Sequence, residues 1–538
     1  MAIIRATKND FVTGDIRVPL HCFKVIACIS PALLLLAAGA SGQIIPTKPA
    51  PLTPQVPTGT GVCSIEKSCA ELAPAMIQSA QGQSPLEENL RYLSDVIGGR
   101  VTGTPAADRA ARWAVEAFRR AGVDEVHTEK FTIPISWSEG HTRVEILSPE
   151  PFPVRLVSIG WSPPTLEGGL TTEIIDVGAG DVEGFTKAGP ATKGAILLVH
   201  SSLLVTWDDL SNEYTMHPAI VDRAVKAGAA AIFWMSTRPN LLLYRHDLSV
   251  NGELDKLPQA VVAREDAERI ARFLHGGQKV RAHFDMPNRV GGPVESENVV
   301  AEIRGREKPD EFVLIGAHLD SWDLGTGALD DGCNVAMLID AARVIHASGT
   351  IPRRSIRFAL FTGEEQGMLG SAAYAHAHRA ELDRMDAAMV FDSGVGRVIG
   401  FTLGGRKDTE STVRDALKPV EALGVNQFTF EADADTDNFD FLLEGVPTLV
   451  ANQEPANYML NYHAASDTFD KVDIPSLKHN TAITAVSSFA LADNEERIGP
   501  RQSRAEVEQL LKDTGLEESL RSSILWPLWK SGERGRQP

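Results

Sequence analysis

His318 opens an acidic stretch, Gly316-Ala317-His318-Leu319-Asp320-Ser321-Trp322-Asp323, and Asp330-Asp331-Gly332 follows it closely. Glu364-Glu365, Asp392 and Tyr462-His463 come later in the chain. The imidazoles of His318 and His463 and the carboxylates of Asp330, Glu365 and Asp392 are hard and borderline ligands that suit Zn²⁺. Five ligands are too many for one tetrahedral zinc that keeps an open position. They suit two ions if one carboxylate bridges, and Asp330, central in the sequence, is the natural bridge. Each ion then has one histidine, one terminal carboxylate and Asp330. Ions about 3.5 to 4 Å apart acidify a shared water and polarise a scissile carbonyl together.

The neighbours of these residues suggest complementary roles. Glu364, beside Glu365 but pointing differently, is read as the general base that carries the water's proton to the leaving amine. Asp320, two residues past His318, can accept the ring N–H and fix its tautomer. Tyr462 adjoins His463 and is assigned either to a tetrahedral oxyanion or to packing. Cys333 is read as a small buried filler at a helix start, because the ligand set is complete without it. Each signal alone is weak: His-x-Asp pairs are common on surfaces, and paired glutamates before a helix often serve its dipole. Their joint occurrence behind buried strands decides for the metal.

Those strands are apolar runs at 312–315, 357–362 and 387–391, each ending in small or acidic residues. After Asp330 and Asp331, Val335, Leu338, Ile339, Ala342 and Ile345 recur at helical spacing. His318, Asp330, Glu365 and Asp392 therefore fall at the carboxyl edge of a sheet, where open α/β folds place their sites. From Asn298 to about Asn494 strands and helices alternate, which predicts an α/β fold with a mixed, mostly parallel sheet between helix layers.

With 538 residues, the chain predicts two domains plus terminal appendages. A net charge of −19 argues against a nucleic-acid partner. No HExxH, CxxC, GxSxG or Walker pattern occurs, which removes the zincin, redox, serine-hydrolase and nucleotide readings. Residues 1–40 read as a signal peptide: Arg5, Lys8, Arg17 and Lys24 precede an apolar run at 25–38, and Ala38-Gly39-Ala40 offers a cleavage site. Export to the periplasm or extracellular space is expected, with no stable membrane span after cleavage; an uncleaved anchor is the alternative.

Residues 41–84 form a Pro-rich linker in this reading, and Cys63 and Cys69 are either disulfide partners or free thiols. The main domain is expected at 85–160 and 291–495. A β-rich insert at 161–290, without a cluster of His, Cys and carboxylate, restricts access or binds substrate. The tail at 496–538 is expected to hold one helix around Val507, Leu510 and Leu511 and a disordered Gly- and Arg-rich end.

Taken together, His318-x-Asp320, Asp330-Asp331-Gly332, Glu364-Glu365, Asp392 and Tyr462-His463 resemble the co-catalytic zinc exopeptidases that include leucyl aminopeptidases and glutamate carboxypeptidases. The flanks His318-Leu319-Asp320-Ser321-Trp322-Asp323 and Glu364-Glu365-Gln366-Gly367 are most similar to its carboxypeptidase Q branch. The resemblance spans roughly residues 85 to 495. It implies a three-layer α/β/α zinc-peptidase domain interrupted by a protease-associated insert, with pattern matches at 194–199, 227–229 and 262–267. It also implies His318, Asp330 and Asp392 on one zinc, Asp330, Glu365 and His463 on the other, Glu364 as base, and a homodimer. Asp437 resembles a family residue near the substrate's end groups. Tyr462 stands where carboxypeptidase Q has His, so the pocket mixes features of two branches. The expected function is a di-zinc metalloexopeptidase acting on dipeptides or short peptides, with the attacked terminus left open. The alternative is a zinc-dependent amidohydrolase of N-acyl amino acids. A non-catalytic binding module would have lost ligands, and none is missing.

Overall fold

The computed structural model describes residues 68–247, 251–522 and 525–537. The expected signal segment, most of the Pro-rich stretch and Cys63 lie outside them. An eight-stranded sheet forms the centre, in the spatial order Glu125–Ile133, Val294–Ile303, Arg354–Phe361, Lys308–His318, Met385–Val390, Thr448–Gln453, Val398–Thr402, Gln427–Thr429. Four consecutive strands, Arg354–Phe361, Lys308–His318, Met385–Val390 and Thr448–Gln453, run parallel, and antiparallel pairings flank them. The sheet is mixed, with a parallel middle.

Alternation along these strands sends side chains to opposite layers. Val313, Ile315, Phe358, Leu360 and Met389 join a core with the helices Cys69–Gln81, Pro105–Ala121, Cys333–Ala347 and Ile474–Asp493. Phe312, Leu314, Ala359, Phe361 and Ala388 face the other way, onto Tyr374, Leu382 and Phe441. Both faces are dry, so the strands read as continuous apolar runs. The Pro105–Ala121 helix shows how local sequence sets an element. Thr104 caps it, Pro105 occupies the first turn, and alanines at 107, 110, 111, 114, 117 and 121 are buried along one stripe. Gly122 ends it at φ 89°, where a Cβ would meet the His346 ring at 2.5 Å.

A second, seven-stranded sheet holds Arg143–Ser148, Arg281–Asp285, Leu170–Asp176, Ile196–Val199, Ala231–Met235, Gln259–Val262 and Leu156–Ser158 in that spatial order. It begins at Arg143, ahead of the expected boundary at 161. The reason is that Val144 and Ile146 alternate with exposed Arg143 and Glu145, a half-buried edge pattern too short to stand out. The helix Trp207–Ala227 packs on this sheet through Ile220, Val221 and Ala224. Its buried side carries Glu213 and His217 between Leu210 and Ile220, so the helical period is written partly in polar residues.

Both terminal expectations need correction. Within the expected linker, Cys69–Gln81 is a helix whose Leu72, Ala73, Met76 and Ala80 are buried in the main core. Nor is the C-terminal segment loose over its described residues. Helices Arg504–Asp513, Leu516–Ser522 and Leu525–Ser531 follow one another, and Leu443, Val507, Leu511 and Trp529 share one apolar cluster. Arg534 grips Asp440 through two bonds of 2.7 and 3.0 Å and donates to the Gly367 carbonyl at 3.2 Å. The tail thereby braces the turn that follows Glu364-Glu365. No helix among the described residues is long and apolar enough to cross a membrane.

Asp440 is 1% exposed, so Arg534→Met leaves its buried carboxylate without a charged partner, with the Ser371 hydroxyl still donating at 2.9 Å. The expected cost is about 3–5 kcal/mol, read as a lowered urea midpoint at unchanged m-value.

Candidate metal centre

The four parallel strands end side by side, and each is followed by a candidate ligand. His318 closes its own strand, Glu364 and Glu365 follow Arg354–Phe361, Asp392 follows Met385–Val390, and His463 comes after Thr448–Gln453. Register brings them level. Gly316 pairs with Val390, which sets His318 and Asp392 at equal height two residues further on.

The Asp330 carboxylate lies between the histidines. Its Oδ1 is 3.0 Å from His318 Nε2, and its Oδ2 is 3.4 Å from His463 Nε2. His318 Nε2 also meets Asp392 Oδ1 at 3.3 Å, while His463 Nε2 meets Glu365 Oε2 at 2.9 Å. Two groups of possible ligands result, His318–Asp330–Asp392 and Asp330–Glu365–His463, each with its ligand atoms within 4.8 Å of one another. Asp330 belongs to both.

Divalent cations fit this donor set. Asp330 Oδ2 and both Glu365 oxygens are buried with no hydrogen bond, although His463 Nε2 stands close by. Neighbouring donors that do not bond one another are the arrangement of co-ligands around an ion. A buried carboxylate left without either partner would cost several kcal/mol.

The neighbours hold the ligands in place. His318 Nδ1 lies 3.1 Å from the Asp320 main-chain carbonyl and 3.6 Å from its carboxylate, so the carbonyl is the nearer acceptor for the ring N–H. The Asp320 carboxylate accepts from Thr102 Oγ1 at 2.7 Å and from the Glu364 amide at 3.3 Å. Asp320 thus links two ligand-bearing loops. Asp331 accepts from the His318 amide at 3.2 Å and from Asn334. Asp467, given no role by the sequence, accepts from the amides of Ala328, Leu329 and Asp330 at 3.1, 2.7 and 3.2 Å. It aims the Asp330 loop. The only local clue was its place four residues after His463.

Glu364 is half-buried, and its carboxylate oxygens are not among the buried unpartnered ones that mark Glu365. Burial, followed by Asp392 and then Asp437, pushes its carboxyl well above the ordinary range. Tyr462 stacks on His463 at 3.8 Å between ring centroids, with its hydroxyl 3.1 Å from that of Tyr214. Tyr458, which the sequence did not single out, lies beside Asp330. Asp437 is fully buried next to Ser371, and burial pushes its carboxyl up to about 8. Cys333 Sγ donates to the Leu329 carbonyl at 3.3 Å and belongs to neither ligand group. Cys69 is a free thiol near the Val486 carbonyl, and its expected partner Cys63 lies outside the described residues.

Residues 298–487, the span that carries all five candidate ligands, match the model of peptidase family M28. The chain is a metallopeptidase, similar to this family over that span. It is 28% identical to carboxypeptidase Q of Mus musculus over 414 residues, which cover 76% of this chain and 86% of the relative. The Homo sapiens carboxypeptidase Q is 27% identical over 437 residues, 80% of this chain and 91% of the relative. Among solved structures, a peptidase M28 precursor from Shewanella amazonensis SB2B superposes with a TM-score of 0.74 at 29% identity, covering 81% of this chain and 99% of that one. A zinc aminopeptidase from Bacillus subtilis shares the fold, with a TM-score of 0.59 at 21% identity over 77% of this chain and 97% of that one.

The crowded acids make the peptidase's metal-free stability depend on pH. Asp437 at about 8 and Asp467 at about 7, with Glu364, Glu365 and Asp331 displaced upward by burial, bind protons more tightly folded than unfolded. Stability from these groups is lost as pH rises. His463, His246 and His217, lowered by burial to about 4, oppose the trend only below their ordinary value near 6.5. In chelator, the thermal midpoint should therefore climb as pH falls from about 8 to about 6.5. Divalent cation at a fixed concentration, about a thousandfold over its Kd at the upper pH, should add about 4 kcal/mol per site there and less at the lower pH, where protons compete for the ligands.

Proposed function

We propose that this metallopeptidase is an exported, two-zinc exopeptidase that hydrolyses dipeptides or short peptides. The observation that carries the reading is the shared Asp330, whose two oxygens face separate histidines, each with its own terminal carboxylate. Zinc held by His318, Asp330 and Asp392 and by Asp330, Glu365 and His463 would supply Lewis acidity for water and for the scissile carbonyl. The zinc aminopeptidase named above and the carboxypeptidase Q relatives support the metal and the exopeptidase class. The basic residues ahead of the 25–38 apolar run support export. The resemblance to carboxypeptidase Q supports a homodimer and a protease-associated character for the second-sheet region.

The chain's own residues divide the remaining work. Glu364 takes a proton from the attacking water and returns it to the leaving amine. Its partial exposure leaves the carboxylate reachable, whereas Glu365 is buried in the ligand group with His463 and Asp330. Asp320 keeps the His318 loop and the Glu364 amide in register. Tyr462, its ring fixed against His463, serves the developing oxyanion. Asp437, assigned by the resemblance to the substrate's end group, is fully buried here and stands behind Glu364.

Replacing Glu364 with Gln should lower kcat by about 10²–10⁴ while zinc content stays at the wild-type level. Activity equal to wild type would remove the assigned base. A panel of free peptides and N-acylated amino acids separates peptidase from amidohydrolase, since preference for the blocked substrates would favour the latter.

A further inference from the structure

His463 has a second ring nitrogen, and its surroundings come from the other sheet. His463 Nδ1 lies 2.8 Å from Nδ1 of His246, a fully buried residue in the segment after the Ala231–Met235 strand. His246 Nε2 in turn lies 3.2 Å from Glu213 Oε1, on the buried side of the Trp207–Ala227 helix. Glu213 also accepts from the Tyr244 hydroxyl and from Thr237 Oγ1. The backbones are joined as well. The Arg245 amide donates to the His463 carbonyl at 3.0 Å, the Ala465 amide to the Leu243 carbonyl at 2.9 Å, and the Arg238 guanidinium to the Tyr462 carbonyl at 2.9 Å. These bonds hold His463 at φ 56°, a left-handed conformation that a histidine adopts only when its surroundings enforce it.

The protons along this chain have one consistent placement. An imidazole that ligates through Nε2 carries its proton on Nδ1, so His463 donates and His246 Nδ1 accepts. His246 then holds its proton on Nε2, where the Glu213 carboxylate faces it. With that lone pair of His246 engaged, the Tyr214 hydroxyl, 3.0 Å from His246 Nδ1 and 3.1 Å from the Tyr462 hydroxyl, turns its proton toward Tyr462. His318 has no such connection, since its Nδ1 faces Asp320 two residues along its own chain.

We propose that His246, braced by Glu213, is the positioning residue for His463, so that the second-sheet region completes the Asp330–Glu365–His463 cation position but not the His318–Asp330–Asp392 position. This rests on the two-cation reading above. The test uses the full-length protein stripped with chelator and titrated with Zn²⁺ against a competing chelator. Wild type should take up two ions. His246→Phe should weaken one of them by about 10–100-fold and leave the other at wild-type affinity. His246→Gln, whose side-chain carbonyl can accept from Nδ1–H, should recover part of the loss. Glu213→Gln should give the same one-site weakening in milder form, and it carries the test if His246→Phe does not fold. Steady-state kinetics should show a lower kcat at a KM near wild type. Two ions bound at wild-type affinity in His246→Phe, equal weakening of both, or no recovery in His246→Gln would overturn the assignment. A wild-type protein that binds a single ion would instead overturn the two-cation reading, and the assignment with it.

Discussion

Negative charge concentrated at one sheet edge is the constraint to which the rest of this structure answers. Asp320, Asp330, Asp331, Glu365 and Asp437 are all buried, with Asp392 and Glu364 at their side. The arginines nearby are committed elsewhere. Arg100 donates to the carbonyls of Leu319, Thr326 and Gly327, and Arg245 pairs with Glu139 and Asp323. Coulomb repulsion among carboxylates in a dry site exceeds what those guanidiniums offset; protons relieve it in the metal-free chain, and divalent cations are suited to replace them.

A charge density of that kind is tolerable only if the backbone around it is rigid. Parallel pairing supplies the first level of rigidity, because each ligand follows the end of a strand buried on both faces. Main-chain amides supply the second. Asp467 gathers three consecutive amides of the Asp330 loop, and Asp320 holds the Glu364 amide while receiving the Thr102 hydroxyl. The Thr102 oxygen also accepts from the Gly363 amide at 2.9 Å, so one hydroxyl spans both loops. The C-terminal segment adds a third level through Arg534, which reaches the Gly367 carbonyl just past the paired glutamates.

His318, Glu365 and Asp392 were legible in the sequence because each follows an apolar run that reads as a buried strand, and Asp330 and His463 because their types complete a coordination set. What escaped is what depends on pairing across long separations. Asp467 and His246 sit in loops without periodicity, and nothing in their neighbours says which backbone or ring they will meet. The Trp207–Ala227 helix was half visible, because Glu213 and His217 take buried positions normally filled by apolar residues and Pro218 interrupts the pattern. The polar character that hid the helix belongs to the network behind His463. Similarly, the tail's Gly- and Arg-rich ending looks disordered by composition, yet Arg534 is bonded to a carboxylate 94 residues earlier.

Independent support for the two histidines bears on how the second-sheet region can move. A lid that swings freely would have to break the His246–His463 contact and the paired backbone bonds between 243–245 and 463–465 on every opening. It would also release the bonds that hold His463 at φ 56° with its ring toward Glu365. The region and the His463 loop are therefore tied together by side-chain and main-chain bonds. Trp207, 55% exposed, approaches the Tyr458 ring at 6.1 Å, and Tyr458 stands beside Asp330. This aromatic pair borders the Asp330 side of the site, away from the His246 contact.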